Sequence, residues 1–294
     1  DLLAAINGSP TQGFGYTTLM TNNGKMVNRG VEITLSGEII RQKDFSWNAS
    51  LLYAFNRNKV KHISVQPSLW DSRISMPTSY PMVGKPLYGI YAYKWAGLNE
   101  NGDPQVYDAE NNVTSGPARD YHALVYCGTT VPIHNASLTN VLRYKGFEFS
   151  AMLILDAGHK LRSSNIPSIN MSNGRITSTA KGIVDRWTQP GDVTDVPRLL
   201  FSNDTENFNT HRTELYRYSD LFVYDASNIR LSNISLAYRV PAHWCKKISL
   251  SGARLQFNVE NVATFAFDSK ANYDLGGKVK PNYVCLLYTS PSPR

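Results

Sequence analysis

Phe45-Ser46-Trp47-Asn48-Ala49-Ser50-Leu51-Leu52-Tyr53-Ala54-Phe55 alternates its side chains with a period of two. Successive residues of a strand point to opposite faces, so one face carries Phe45, Trp47, Ala49, Leu51, Tyr53 and Phe55. The other carries Ser46, Asn48, Ser50, Leu52 and Ala54. The first face is aromatic at both ends and aliphatic in the middle. Ten steps of about 3.3 Å, tilted by about 45°, rise roughly 23 Å, close to the roughly 25 Å apolar band of a membrane barrel with aromatic girdles at its rims. The stretch therefore predicts a transmembrane strand with Phe45, Trp47, Tyr53 and Phe55 as girdle residues. A soluble sheet with one solvated face also alternates, so this strand alone leaves both readings open.

The same rule recurs along the chain. Val31, Ile33 and Leu35 alternate with Glu32, Thr34 and Ser36, and Arg41-Gln42-Lys43-Asp44 turns into the strand above. Phe147, Phe149, Ala151, Leu153 and Leu155 alternate with Glu148, Ser150 and Asp156 after the short turn Tyr144-Lys145-Gly146. Ala253, Leu255, Phe257 and Val259 alternate with Arg254, Gln256, Asn258 and Glu260, a polar face suited to a wet lumen. Between Ala226 and Val240 the apolar phase jumps from Ile229 and Leu231 to Ile234, Leu236 and Tyr238, which predicts a β-bulge near Ser232-Asn233. Tight turns are expected near 42, 145 and 243, and long polar loops over 57–82 and 159–222. Short turns on one side and long loops on the other characterise outer-membrane barrels. Asn101-Gly102 is a two-residue turn signal, while residues 105–130 give no clear strand pattern.

Composition narrows the function classes. A chain of 294 residues with 42% hydrophobic content can bury a core, and no apolar run approaches the roughly 20 residues of a membrane helix. The net charge of +7 is spread along the chain, so nucleic acid is not an expected partner. Cys127, Cys245 and Cys285 are far apart and odd in number, and the six histidines fall singly, which excludes the common zinc patterns. Asp185, Asp192 and Asp195 could pair carboxylates for hydrolysis, but they sit in a Pro/Gly-rich stretch where turn capping is the commoner role of Asp. No catalytic residue, metal or cofactor is expected, and the chain reads as a non-enzyme.

Four segments carry a family resemblance. Asn28-Arg29-Gly30-Val31-Glu32, Val83-Gly84-Lys85-Pro86, the run from Asp185-Arg186-Trp187-Thr188-Gln189-Pro190-Gly191-Asp192 to Leu199, and the run from Asp225 to Tyr238 resemble the SusC-like TonB-dependent outer-membrane transporters. They follow the family's order across nearly the whole chain. The resemblance implies an all-β fold, an antiparallel transmembrane β-barrel segment supplying roughly the last eight or nine strands of a plugged barrel of about 22 strands. It implies import of oligosaccharides or peptides across the outer membrane. Partners would be outer-membrane lipid, a SusD-like surface lipoprotein, and the TonB complex, reached through a plug and TonB box expected upstream of Asp1.

Within the motifs Asp185, Arg186, Trp187, Pro190, Gly191, Asp192, Arg230 and Asn233 are expected to position structure. Trp187, Tyr216, Tyr218, Phe222 and Tyr224 are candidate contacts to substrate or to the lipoprotein lid, weighed against plain loop packing. Residues 1–284 are read as barrel and 285–294 as a non-native tail, since Pro291 and Pro293 lack the N–H that a closing strand donates. Two other readings remain open: a passive porin-type barrel and a soluble carbohydrate-binding β-sandwich.

Overall fold

A computed structural model describes residues 2–7, 18–64, 72–116, 121–171, 180–201, 210–247, 249–276 and 282–291. The chain begins with β1 (Leu2–Asn7), β2 (Thr18–Arg41) and β3 (Phe45–Ile63), followed by helix α1 (Ser72–Ser75). Short strands follow: β4 (Gly89–Tyr93), β5 (Trp95–Leu98), β6 (Pro104–Tyr107), β7 (Val113–Thr114) and β8 (Leu124–Thr129). Next come β9 (His134–Tyr144), β10 (Phe147–Ala157), β11 (Lys160–Arg162), β12 (Asn170–Met171) and β13 (Leu200–Phe201). Helix α2 (Thr210–Arg217) and β14 (Val223–Asp225) precede β15 (Asn228–Arg239) and α3 (Ala242–Lys247). The last elements are β16 (Leu250–Ala266), α4 (Asn272–Gly276) and β17 (Asn282–Pro291). No helix among the described residues is long and apolar enough to cross a membrane, a statement that does not bear on strands.

The long strands form one eight-stranded sheet in the order β1-β2-β3-β9-β10-β15-β16-β17. Its turns are those the residues specify. Gln42 N donates to Phe45 O at 2.8 Å to close the β2–β3 turn, and Lys145, at φ 51°, makes the two-residue turn between β9 and β10. Gly30 explains one motif glycine: a Cβ there would lie 2.5 Å from Phe55 O, so only glycine lets the two strands approach. Chain contacts divide the molecule into two units. One comprises Gly30–Asn56, Pro132–His159 and Asp225–Arg294; the other comprises Asp1–Arg29, Arg57–Val131 and Lys160–Tyr224.

The bulge lies where the phase jump placed it. Met152 pairs with Asn233 and Leu153 with Leu231, so Ser232 is extra. On the far side Asn233 faces Glu260 while Leu231 faces Ala263, so β16 carries one further residue. Asn261 absorbs it at φ 54°, a conformation that Asn tolerates better than most residues. One extra residue flips the phase of β15, whereas two leave β16 in step with β10.

Several expectations need correction. The expected loop over 57–82 begins as strand, because β3 continues to Ile63. The expected tight turn near 243 is the helix α3. The stretch 159–222 is not a coreless loop: with 57–131 it builds four small sheets, β4-β8, β5-β6-β7, β11-β14 and β12-β13. These rest on a core of Tyr91, Tyr93, Val106, Ala123, Leu124 and Leu215, with a second cluster of Ile169, Tyr216 and Phe222. The segment 105–130, which showed no strand pattern, holds β6, β7 and β8. Its strands run only two to six residues, too short for alternation to register. Asn282–Pro291, which takes in residues 285–291 of the expected non-native tail, pairs along β16. Pro291 stands at the end of that ladder, opposite Leu250, where a missing N–H costs least; Pro293 lies outside the described residues.

Candidate functional site

In the sheet unit, the register aligns the alternating faces of five strands. Phe45 pairs with Tyr144, Tyr144 with Phe147, and Phe147 with Tyr238, whose partner on β16 is Leu255. This makes an aromatic rim at the turn end, where the Phe147 and Tyr238 rings lie 4.5 Å apart. Six residues further along, Leu51 pairs with Leu138, Leu138 with Leu153, Leu153 with Leu231, and Leu231 with Ala263. The opposite end is aromatic again, with Tyr53, Phe55 and His134. Tyr53 Oη lies 2.8 Å from His134 Nδ1, and the Phe55 ring lies 5.3 Å from the imidazole. Trp47 sits just inside the turn-end rim and donates its indole N–H to Asn140 at 3.1 Å. All four expected girdle residues, Phe45, Trp47, Tyr53 and Phe55, stand on this face of β3.

The face is exposed although apolar. Val31, Leu35, Phe147, Leu236, Leu255 and Phe265 present their side chains to the surroundings. A contiguous apolar surface of this extent marks an interface, and here it is band-shaped and rimmed with aromatics.

The opposite face is polar and internally bonded. The Glu148 carboxylate accepts from Arg143 Nε at 2.7 Å on one oxygen and from Arg254 Nη2 at 3.0 Å on the other. Asn135 donates to Asp156 at 2.7 Å. Gln256 donates to Ser235 and Asn258. Arg143, Lys145, Glu148, Arg239 and Arg254 also line a cavity of about 110 Å³. These pairs are partly exposed and contribute little stability, about 1 kcal/mol or less each. Their meaning is chemical, because side chains that need water on one face and lipid on the other define a wall. Two motif residues lie here: Asn233 at the bulge, and Arg230, whose Nε is buried without a hydrogen-bond partner.

In the loop unit, the quoted motif is a structural hub. Asp103 Oδ1 accepts from Arg198 Nε at 3.1 Å and from Arg212 Nε at 2.8 Å. Asp103 Oδ2 accepts from Arg198 Nη2 at 2.9 Å. Arg212 also donates to Asn170 Oδ1 and to the carbonyls of Ile169 and Arg198. Burial lowers the pKa of Arg212 from its ordinary value, and Asp103 offsets part of that loss. The Asn101-Gly102 turn presents Asp103, because Asn99 Oδ1 accepts from Asn101 N and Asp103 N. Gly102, at φ +74°, lets the Trp187 ring lie where a Cβ would otherwise stand.

Other motif groups close the loop itself. Asp192 accepts from the N–H and hydroxyl of Thr188 and from Gln189 N, bonds that hold its carboxyl below the usual range, and Pro190 and Gly191 form the bend between. Thr194 Oγ1 donates to Asp185 O at 2.6 Å, and Arg186 Nη1 to Ile183 O at 3.3 Å. Asp195 accepts from the Trp95 indole at 2.9 Å. Asp192 is thus a turn cap, Asp195 a long-range partner of Trp95, and Asp185 is held through its backbone carbonyl. Val83-Gly84-Lys85-Pro86 has a similar role, with Gly84 N bonded to Val60 O and Val60 N to Lys85 O, each at 2.9 Å.

The candidate contact aromatics divide. Tyr216 and Phe222 are buried, 1% and 6% exposed, and meet edge to face with centroids 4.9 Å apart. They are core residues, and their assignment as contacts is corrected; burial pushes the Tyr216 phenol above its usual range, helped by Asp195 and Tyr224. Tyr218 is half-buried, with the Arg162 and Arg217 guanidinium groups 5.5 and 5.8 Å from its ring centre. Trp187 and Tyr224 are half-buried. The hub residues Asp103 and Arg212 escaped sequence reading. The turn signal pointed beside Asp103, whereas nothing in His211-Arg212-Thr213 set Arg212 apart.

A sheet apolar outside and hydrogen-bonding inside is the wall of a transmembrane β-barrel. No family model matches the chain. It is 25% identical over 280 residues to TonB-dependent receptor P3 of Formosa agariphila, a match covering 88% of this chain and 26% of that protein. It is 22% identical over 263 residues to TonB-dependent receptor SusC of Bacteroides thetaiotaomicron, covering 85% of this chain and 24% of that protein. Among solved structures it resembles the RagAB peptide importer in its open-open state, with a TM-score of 0.70 and 20% identity, over 99% of this chain and 31% of that one. Over most of its length the chain is similar to TonB-dependent receptors of the SusC kind, and its fold is that of their outer-membrane β-barrel. It spans about a quarter of the length of the curated relatives it matches.

Proposed function

We propose that this chain forms part of the barrel of a TonB-energised importer that takes up oligosaccharides or peptides together with a SusD-like surface lipoprotein. The observation that carries the reading is the two-faced sheet, whose Arg143-Glu148-Arg254 side is built for a wet lumen and whose Leu51-Leu138-Leu153-Leu231 side is built for lipid. The curated relatives named as TonB-dependent receptors support active uptake over passive diffusion. One solved relative being a peptide importer keeps peptides beside glycans as cargo. Import needs no chemistry on the cargo, which agrees with acids and arginines spent on pinning loops, so the chain is read as a non-enzyme. Trp187 and Tyr224, half-buried aromatics outside the two core clusters, are the proposed contacts to cargo or lid, together with Tyr218, which packs against the first cluster.

Purification of the full-length receptor from its native membrane in mild detergent tests this. A surface lipoprotein should co-purify, and uptake of the bound oligosaccharide or peptide should stop when TonB is deleted. Uptake that continues without TonB would favour the passive porin.

A further inference from the structure

We propose that the short-turn end of the sheet is a docking band for anionic phospholipid, with helix α3 as its anchor. The proposal rests on the barrel reading and adds a specific lipid partner. Cys245 is fully buried where α3 packs against β16, so the helix is held on the sheet, with Trp244 turned outward and 55% exposed. Lys246 and Lys247 extend from the same short helix, both exposed. At the neighbouring turns Arg41, Lys43 and Lys145 are exposed as well, against Glu38, which pairs with Arg41 at 3.6 Å, and Asp44 as the acids of the β2–β3 turn; Arg239 faces the polar cavity and is not part of the band. Lys145 Nζ lies 5.3 Å from the centre of the Tyr144 ring, which ties one of these cations to the aromatic rim.

Charge and depth together select the partner. A barrel immersed to the rim of Phe45, Tyr144, Phe147 and Tyr238 holds these cations at headgroup level, where lipid phosphates are the available anions. The cations border a continuous apolar face, which suits a membrane leaflet better than an acidic protein. Indole beside lysine is the pairing that suits that interface.

Native mass spectrometry of the full-length receptor, released in mild detergent with equal phosphatidylglycerol and phosphatidylcholine, reads this directly. Phosphatidylglycerol should be retained in preference, and the K43Q/K145Q/K246Q/K247Q variant should lower that preference on the order of tenfold or more. K246R/K247R, which keeps the charge, and K59Q/K61Q, on the far end of β3, should leave it unchanged. Equal retention of the two lipids, an unchanged preference in the glutamine variant, or an equal fall with K59Q/K61Q would overturn the proposal. A receptor that retains neither lipid would instead contradict the barrel reading itself.

Discussion

Arginine at Leu153 should destabilise the full-length barrel far more than arginine at Ser50. Leu153 lies on β10 six residues from Phe147, between Leu138 and Leu231. At about 3.3 Å per residue and a tilt near 45°, that is roughly 14 Å from the turn-end rim, close to the middle of a band about 25 Å tall. A guanidinium there faces hydrocarbon and should cost about 2–4 kcal/mol, and Leu51, on the same level, should behave alike. Ser50 points to the polar face, where its hydroxyl lies 2.7 Å from that of Ser36. Replacing it forfeits one exposed hydrogen bond, about 0.5–1.5 kcal/mol at most. Urea titration of reversible folding into vesicles measures both. Equal losses at Ser50 and Leu153, or a larger one at Ser50, would show that the faces are assigned backwards.

Three further outcomes are expected. Asp103→Asn should loosen the loop unit by about 3–5 kcal/mol, because the Arg212 side chain, only 4% exposed, keeps its charge and loses its carboxylate; limited trypsin digestion should then cut within 180–217 faster, and an unchanged rate would refute the hub. His159 has a buried Nδ1 without a partner, and burial holds its pKa below the ordinary 6.5 against the pull of Asp156 and Asp225. The unfolded chain therefore takes the proton first, so stability is full above about pH 6.5 and falls as pH drops toward the folded value; His159→Gln should flatten that limb of a stability-against-pH series, and an identical slope would count against it. A peptide tag after Val193, which is fully exposed, should be reached by antibody on intact cells and a tag at Gln42 should not, whereas the reverse pattern would invert the topology.

The sheet was legible because its information is local. Alternation over β3, β10 and β16 gives the faces, and a single phase jump between Leu231 and Ile234 gives the bulge. What alternation cannot supply is pairing: Glu148 and Arg254 each read as polar-face residues, yet only the register brings them to 3.0 Å. The loop unit was illegible for a different reason. Its strands are too short for periodicity, and its stability comes from contacts between residues about a hundred positions apart, such as Arg198 with Asp103 and Trp95 with Asp195. Tyr216 and Phe222 were misread because an aromatic in a polar stretch resembles a surface contact until its neighbours are known. Asp192 caps Thr188 and Gln189 over the short range that turn capping requires, whereas Asp195 meets the Trp95 indole from a hundred positions away.

The central claim is that β10 is wall, lipid on one side and water on the other. Single nitroxide labels along residues 147–156 of the full-length receptor in vesicles, with native cysteines replaced by serine, test it through collision with oxygen and with a water-soluble nickel complex. Oxygen contact should peak at 147, 149, 151, 153 and 155 and nickel contact at 148, 150, 152, 154 and 156. Nickel contact equally high at every position would contradict the account.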